Sequence, residues 1–254
     1  MNLISKLAGL GLWLGVLTGC AGLILRLTIR DGWQPLAPFF YATPLPLCLG
    51  AFVVFAIRNR KRRRLAISST MLAVVCLAIW LFHAPGWFGD SGDFRVAFWN
   101  ASDSWEHFEV AFDRLDEESI DLLLLAEAPN SKKDQDLARE RGFEVRGLPR
   151  EMAIACRGRI LELTTHGLQF QSVAHEISCE IDGRVCRVIF VDVGPKPSWP
   201  RGPILKRILE IAGDKPNTII VGDFNTPVES VWFDSFRENF AFTGDAPGSG
   251  TRET

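Results

Sequence analysis

The chain has 254 residues, with 28 Lys and Arg against 30 Asp and Glu, a formal net charge of −2, and 47% apolar composition. That near-balance, with acids and bases interspersed beyond residue 89 and no basic face, argues against charge-driven binding to long nucleic acid. The length suffices for one large core or two smaller units, but the apolar residues are concentrated at the front.

Three stretches there, Leu7 to Leu25, Leu36 to Ile57 and Leu65 to Phe82, are nearly free of charge. Each is close to the ~20 residues that a helix needs to cross a ~30 Å hydrocarbon core, so three transmembrane helices are expected within residues 1–88. Core helices of a soluble protein are the competing reading, and three charge-free runs in succession weigh against it. The second run carries Pro38, Pro44 and Pro46, which predict a kink or an irregular half. Between the second and third runs lies RNRKRRR, Arg58 to Arg64, with six cations in seven positions. Cytoplasmic loops retain Lys and Arg. An integral membrane protein with its N-terminus inside and its C-terminal domain outside the cytoplasm is therefore expected. A nucleic-acid or nuclear-targeting patch has the same composition, but its place between two spans favours the topology anchor. LTGC, Leu17 to Cys20, resembles a lipoprotein cleavage box, yet the apolar run continues through Leu25 where a polar tether would open. Cut or uncut, the C-terminal domain ends on the same side. The spans contain no acid or base that would mark an ion path, which argues against a transporter.

From about Gly89 the pattern changes to short β runs alternating with amphipathic helices. Arg95 to Trp99 reads as a strand that ends in Asn100, followed by the helix-start cluster Ala101 to Ser104. Phe108, Ala111, Phe112 and Leu115 then form one helical stripe. IDLLLLAE, Ile120 to Glu127, is a continuous apolar run of strand length that also ends in an acid. A polar helix around Lys132 to Arg141 precedes EVRG and the strand-like MAIACRGRI, Met152 to Ile160. In ISCEIDGRVCRVIF the Asp182-Gly183 pair predicts a two-residue hairpin with Ile181 opposite Arg184 and Cys179 opposite Cys186. A cross-strand disulfide and a pair of reduced, buried thiols both fit that register. After a Pro-rich loop, Ile204, Leu205, Ile208, Leu209 and Ala212 mark a further helix. Thr218 to Val221 is the next strand, and a last helix near Glu229 to Phe240 shows Trp232, Phe233, Phe236 and Phe240 on one side. The class is α/β, with a mixed sheet and helices outside it.

Three of these strands end in oxygen donors: Asn100, Glu127, and Asp223 with Asn225. Singly, each is an ordinary turn or cap residue. Lying side by side in one sheet they would share a carboxyl edge, where α/β folds place ligands. Their chemistry suits a hard cation, Mg²⁺ or Mn²⁺, in preference to zinc.

In combination, VAFWN, LLLLAE and VGDFNTP resemble, in that order, the asparagine, glutamate and Gly-Asp-x-Asn motifs of the endonuclease/exonuclease/phosphatase superfamily, the deoxyribonuclease-I-like fold. The resemblance runs from about Phe94 to Phe240 and implies a four-layer α/β sandwich of two packed sheets; the superfamily has bacterial members with N-terminal membrane spans, which implies a bacterial inner membrane as the location. It implies that Glu127 holds the divalent ion with Asn100 beside it. Asp223 would orient or help deprotonate the attacking water, and Asn225, with Asn100, would contact the phosphate. The implied reaction is hydrolysis of a phosphate ester in a nucleic acid, a nucleotide or a lipid head group. Members carry a histidine after the long central strand and finish with strands bearing an Asp and a Ser-Asp-His segment. Here the first window reads VIFVDVGPKP, with Asp192 and no His, and the chain reaches SGTRET before the second. None of His83, His107, His166 and His175 readily supplies the base. The expectation for residues 89–254 is thus an incomplete sandwich, with a covering protein partner if the chain truly ends at Thr254. The alternative function is a non-catalytic membrane protein that keeps the fold to bind a phosphorylated ligand or a protein.

Overall fold

The computed structural model describes residues 3–83, 94–101, 119–127 and 132–241. The helical stripe expected from Phe108 to Leu115, and His107, lie outside them. Two compact units are present: one combines the N-terminal helices with Lys196–Gly202 and the segment from Thr226, and the other holds the strands.

The helical unit begins with α1 (Leu3–Leu27) and continues through a 3-10 turn (Gln34–Leu36) to α2 (Ala37–Ala42), α3 (Leu45–Arg58) and α4 (Arg63–His83). Two of these helices, over Lys6–Leu27 and Arg63–Leu81, are long and apolar enough to cross a membrane. The second expected span is instead broken: Gln34–Ala42 and Leu45–Arg58 meet at a 58° bend and qualify only when taken together. Proline explains the break. Pro38 and Pro46 sit in the first turns of α2 and α3, where the missing N–H costs nothing, and Pro44 caps α3 in an extended conformation. Val16, Leu23, Cys48, Phe52, Phe55, Ala73 and Cys76 form the bundle core. Leu10, Leu17, Val54, Met71, Val74 and Leu81 remain exposed outside it, so these helices are apolar all round, as membrane helices are.

In the same unit a polar cluster closes around the end of α1. Asp31, 1% exposed, accepts hydrogen bonds from the Tyr41 hydroxyl (2.8 Å), the Ser230 hydroxyl (2.6 Å) and the Val231 N–H (3.0 Å). Arg26 donates to Thr43, to the Phe40 carbonyl and to Glu229, while Arg30 pairs with Asp234. The last expected helix proves short, a 3-10 turn (Val231–Phe233) leading into α7 (Asp234–Asn239), with Phe233 and Phe236 buried against each other.

The other unit contains two four-stranded sheets. β1 (Val96–Asn100), β2 (Leu122–Ala126), β4 (Met152–Cys156) and β3 (Glu144–Leu148) form the first in that order. β5 (Arg159–Gly167), β6 (Val173–Ile181), β7 (Arg184–Asp192) and β8 (Thr218–Asp223) form the second. β1 with β2 and β7 with β8 are parallel pairs, and the remaining neighbours are antiparallel. MAIACRGRI is not one strand: the chain leaves the first sheet after Cys156 and enters the second at Arg159. Gly158 permits the crossing, since a Cβ there would lie 1.8 Å from the Glu180 carbonyl oxygen.

The sheets pack face to face through alternate residues, Leu122, Leu124, Met152, Ile154 and Cys156 on one side and Ile177, Cys179, Val188 and Phe190 on the other. The far face of the first sheet, with Leu123, Leu125, Ala153 and Ala155, is covered by Ala138 and Leu137 of α5 (Lys132–Glu140). On the far face of the second, Arg187 donates to the Ala212 and Ile211 carbonyls at the C-terminal end of α6 (Arg201–Ala212), answering orphan acceptors of that helix. The expected hairpin register is observed, with Ile181 opposite Arg184 and Cys179 opposite Cys186, and all three cysteines of this unit are free thiols.

Candidate functional site

Strand alternation builds the site. Phe98, Phe190 and Val221 all pack into the core between the sheets. The next positions on that same face are Asn100, Asp192 and Asp223, the final residues of β1, β7 and β8. The inner face therefore changes from apolar to polar at one edge, where the sheets reach solvent. β8 touches both β1 and β2 there, and Asn100 Nδ2 donates to Asp223 Oδ2 at 3.3 Å across the sandwich. The oxygen donors do not share one sheet edge, as the strand pattern alone suggests. Asn100 and Glu127 come from the first sheet, Asp223 and Asn225 from the second, and face-to-face packing aligns the carboxyl ends of the two parallel pairs.

Two donors follow their strands in left-handed conformation, Glu127 at φ 50° and Asn225 at φ 45°. Such values are rare away from glycine and end a strand abruptly. At Asn225 the conformation is held from two sides: its N–H donates to Asp223 Oδ1 (2.8 Å) and its Nδ2 to the Val193 carbonyl (2.8 Å). Asp223 thus receives a hydrogen bond on each carboxylate oxygen, from Asn225 and Asn100. Glu127 is exposed at the rim.

Asp192 pairs in register with Asp223. Burial pushes its carboxyl above the usual range; Arg150, bound at 3.2 Å, opposes that, and the charges of Asp223 and Glu127 reinforce it. Arg150 is the functional candidate that the sequence reading missed. It stands in the turn between β3 and β4, with φ 65° followed by Glu151 at φ 54°. Consecutive left-handed non-glycine residues leave no sequence signature, so nothing in the sequence separates this arginine from its neighbours.

Among the described residues no group of three His, Cys, Asp or Glu side chains converges closely enough to cage a metal ion. The donor set nevertheless fits a hard divalent cation. Mg²⁺ characteristically keeps several waters and takes one or two carboxylates, and here Glu127, with the Asn100 amide nearby, faces an edge crowded with anionic charge. That crowding is what a bound cation would relieve.

Two described histidines, His166 and His175, are engaged within the second sheet. His83 ends α4, and His166 bonds Glu176 at 3.1 Å. His175 is fully buried between the sheets beside Phe190, with Nδ1 3.0 Å from the Thr165 hydroxyl. Burial pushes its pKa down to about 4; the Pro149 carbonyl opposes the shift, although no full hydrogen bond reaches Nε2. A depressed histidine pKa means that the fold favours the neutral ring. Its contribution is fully present above the unfolded value near ~6.5 and is lost as pH falls toward about 4, a change of about 3 kcal/mol at most. Denaturation midpoints measured from pH 7 to pH 4 should fall over that window, and a His175→Gln variant should show a shallower decline.

No family model matches this sequence, and no curated protein matches it. Solved structures do match. The human Nocturnin catalytic domain with bound sulfate aligns over 56% of this chain and 68% of its own, at 17% identity and a TM-score of 0.47. A functionally unknown conserved protein from Enterococcus faecalis V583 aligns over 58% and 73%, at 17% identity and a TM-score of 0.46. TDP2 from D. rerio, complexed with a single-strand DNA product, aligns over 58% and 66%, at 12% identity and a TM-score of 0.44. At these values the likenesses assign neither family nor activity to this chain.

Proposed function

We propose that the chain is a membrane-anchored, divalent-metal-dependent phosphoesterase of the deoxyribonuclease-I-like type, with its strand-built unit acting outside the cytoplasm. One observation carries the reading: the three motifs VAFWN, LLLLAE and VGDFNTP, far apart in sequence, end at one edge, where Asn100 hydrogen-bonds Asp223 and Glu127 and Asp192 stand close by. Hydrolysis of a phosphate ester needs a polarised phosphoryl oxygen, an oriented water and a donor for the charge that develops. Glu127 and Asn100 would hold Mg²⁺ or Mn²⁺, which when bound supplies Lewis-acid polarisation of the phosphoryl oxygen. Asp223, fixed at both oxygens, would orient a water and draw on its proton. Asn225 would offer its amide to the phosphate, and Arg150 would add a positive charge at the same edge.

The substrate class is a phosphomonoester or phosphodiester, from a nucleic acid, a nucleotide or a lipid head group. Membrane anchoring rests on the apolar helices, and sidedness on the basic run Arg58 to Arg64. A non-catalytic reading, in which the same edge binds a phosphorylated ligand or a protein partner, is favoured by one observation: among the described residues, His166 and His175 are bonded to Glu176 and Thr165 and not to Asp192 or Asp223. Turnover of bis(4-nitrophenyl) phosphate by the full chain in detergent, with Mn²⁺ or Mg²⁺, separates the two. Absence of turnover together with metal-dependent binding of inorganic phosphate would select the binding reading.

Arg150→Ala is expected to lower kcat/KM by roughly 10- to 100-fold, the value of one charge-assisted hydrogen bond, mostly through KM. Arg150→Lys should recover part of the loss. An unchanged KM in both variants would remove Arg150 from the site.

A further inference from the structure

Three thiols occupy the end of the strand sandwich opposite the carboxylates. Cys156 closes β4, opposite Leu122 at the start of β2, while Cys179 and Cys186 face each other across the β6–β7 hairpin. All three point into the core between the sheets. Asp192, at the other end of β7, is six residues from Cys186, about 20 Å along an extended strand. The thiols are therefore separate from the proposed hydrolytic edge.

Geometry and access select one pair among them. Cys156 and Cys179 lie on different sheets with their thiols hydrogen-bonded, but both are fully buried, so an oxidant arriving from solution does not meet that pair first. Cys179 and Cys186 are direct cross-strand partners, for which Cα atoms stand about 5.5 Å apart in a hydrogen-bonded pair. Access orders their roles. Cys179 and Cys156 are fully buried, and Cys186 is half-buried at the margin of the core. Hydrogen bonding from Cys179 also lowers the Cys186 thiol to about 7 against the opposing effect of burial, which favours its thiolate.

We propose that Cys186 and Cys179 are a dithiol oxidation site, converted to a cross-strand disulfide by thiol–disulfide exchange with a small disulfide oxidant. The Cys186 thiolate attacks one sulfur of the oxidant, whose S–S bond breaks and whose other sulfur leaves as a thiolate. Cys179 then gives up its proton and attacks Cys186 Sγ, which releases the second oxidant thiol. Two protein thiols are oxidised, one oxidant disulfide is reduced to two thiols, and the two protein protons end on them. Cys156, buried beneath the pair, stays reduced.

The test uses the full chain in detergent, treated with oxidised glutathione, alkylated and digested with trypsin. Cleavage after Arg159, Arg184 and Arg187 separates the two cysteines, so the expected product is peptide 160–184 linked to peptide 185–187, with Cys156 alkylated after unfolding and a mass lower by two hydrogens. Cys156→Ser should keep the link. Cys179→Ser should stop at a single glutathione adduct on Cys186. A Cys156–Cys179 link, a persistent glutathione adduct on the unmutated chain, or three alkylated thiols after treatment would each overturn the proposal.

Discussion

Glu127→Ala and Asp223→Ala are each expected to lower metal-supported hydrolysis of bis(4-nitrophenyl) phosphate by ~10²–10⁴-fold, the range for loss of a group acting at the reacting centre. The two losses should not add, because both groups serve one event: the double variant should be little worse than the poorer single one. Asp223→Asn is the sharper probe. It keeps the size of the side chain and a carbonyl oxygen for the Asn225 N–H, but it cannot take up a proton and places an amide against Asn100 Nδ2. Asp223→Asn should therefore lose activity while unfolding close to the parent. Glu127 is exposed, so its removal should cost little stability and raise the metal concentration needed for half-maximal rate. Rates unchanged by both alanine substitutions would sink the site assignment.

Gly222→Ala is expected to be strongly disruptive in the strand-built unit. Gly222 sits at φ 140°, and a Cβ on it would fall 2.0 Å from the Val191 carbonyl oxygen, its partner in the β7–β8 ladder. That neighbour is backbone within a sheet and cannot swing aside. Strain of about 1–3 kcal/mol at such a conformation combines with overpacking of about 1–3 kcal/mol, so a loss of roughly 2–6 kcal/mol is anticipated. The position also sets the chemistry, because Gly222 is followed by Asp223 opposite Asp192. Separating β8 from β7 at this point would withdraw Asp223 from the Asn100 amide. Urea denaturation of the full chain should show the lower midpoint, and amide exchange should show faster opening in β8 than in β6. A midpoint matching the parent would mean that the glycine is dispensable and the close approach relaxes.

Much of the local structure was legible because local rules govern it. Periodicity of 3.6 located α6, a continuous apolar run located β2, and Asp182-Gly183 fixed the register of a hairpin whose partners are only a few residues apart. The prolines that announced irregularity in the second span mark the observed 58° bend. The division of MAIACRGRI between two sheets was not legible, since Cys156 and Arg159 belong to equally good strand sequences. Only the approach of the Glu180 carbonyl explains why a glycine must stand between them.

By itself, then, the sequence determined which segments are apolar enough to enter a membrane, where strands and helices form, and which strands end in oxygen donors. Those properties depend on neighbours within about one or two turns of chain. Tertiary structure alone decided that Asn100 meets Asp223 at a sequence separation of 123, that Arg150 reaches Asp192, and that Cys156 lies beneath a cross-strand pair. Sheet order and the facing of one sheet on another are set by how the whole core packs, and a periodicity that assigns each residue to a face leaves open which face of the molecule it will oppose.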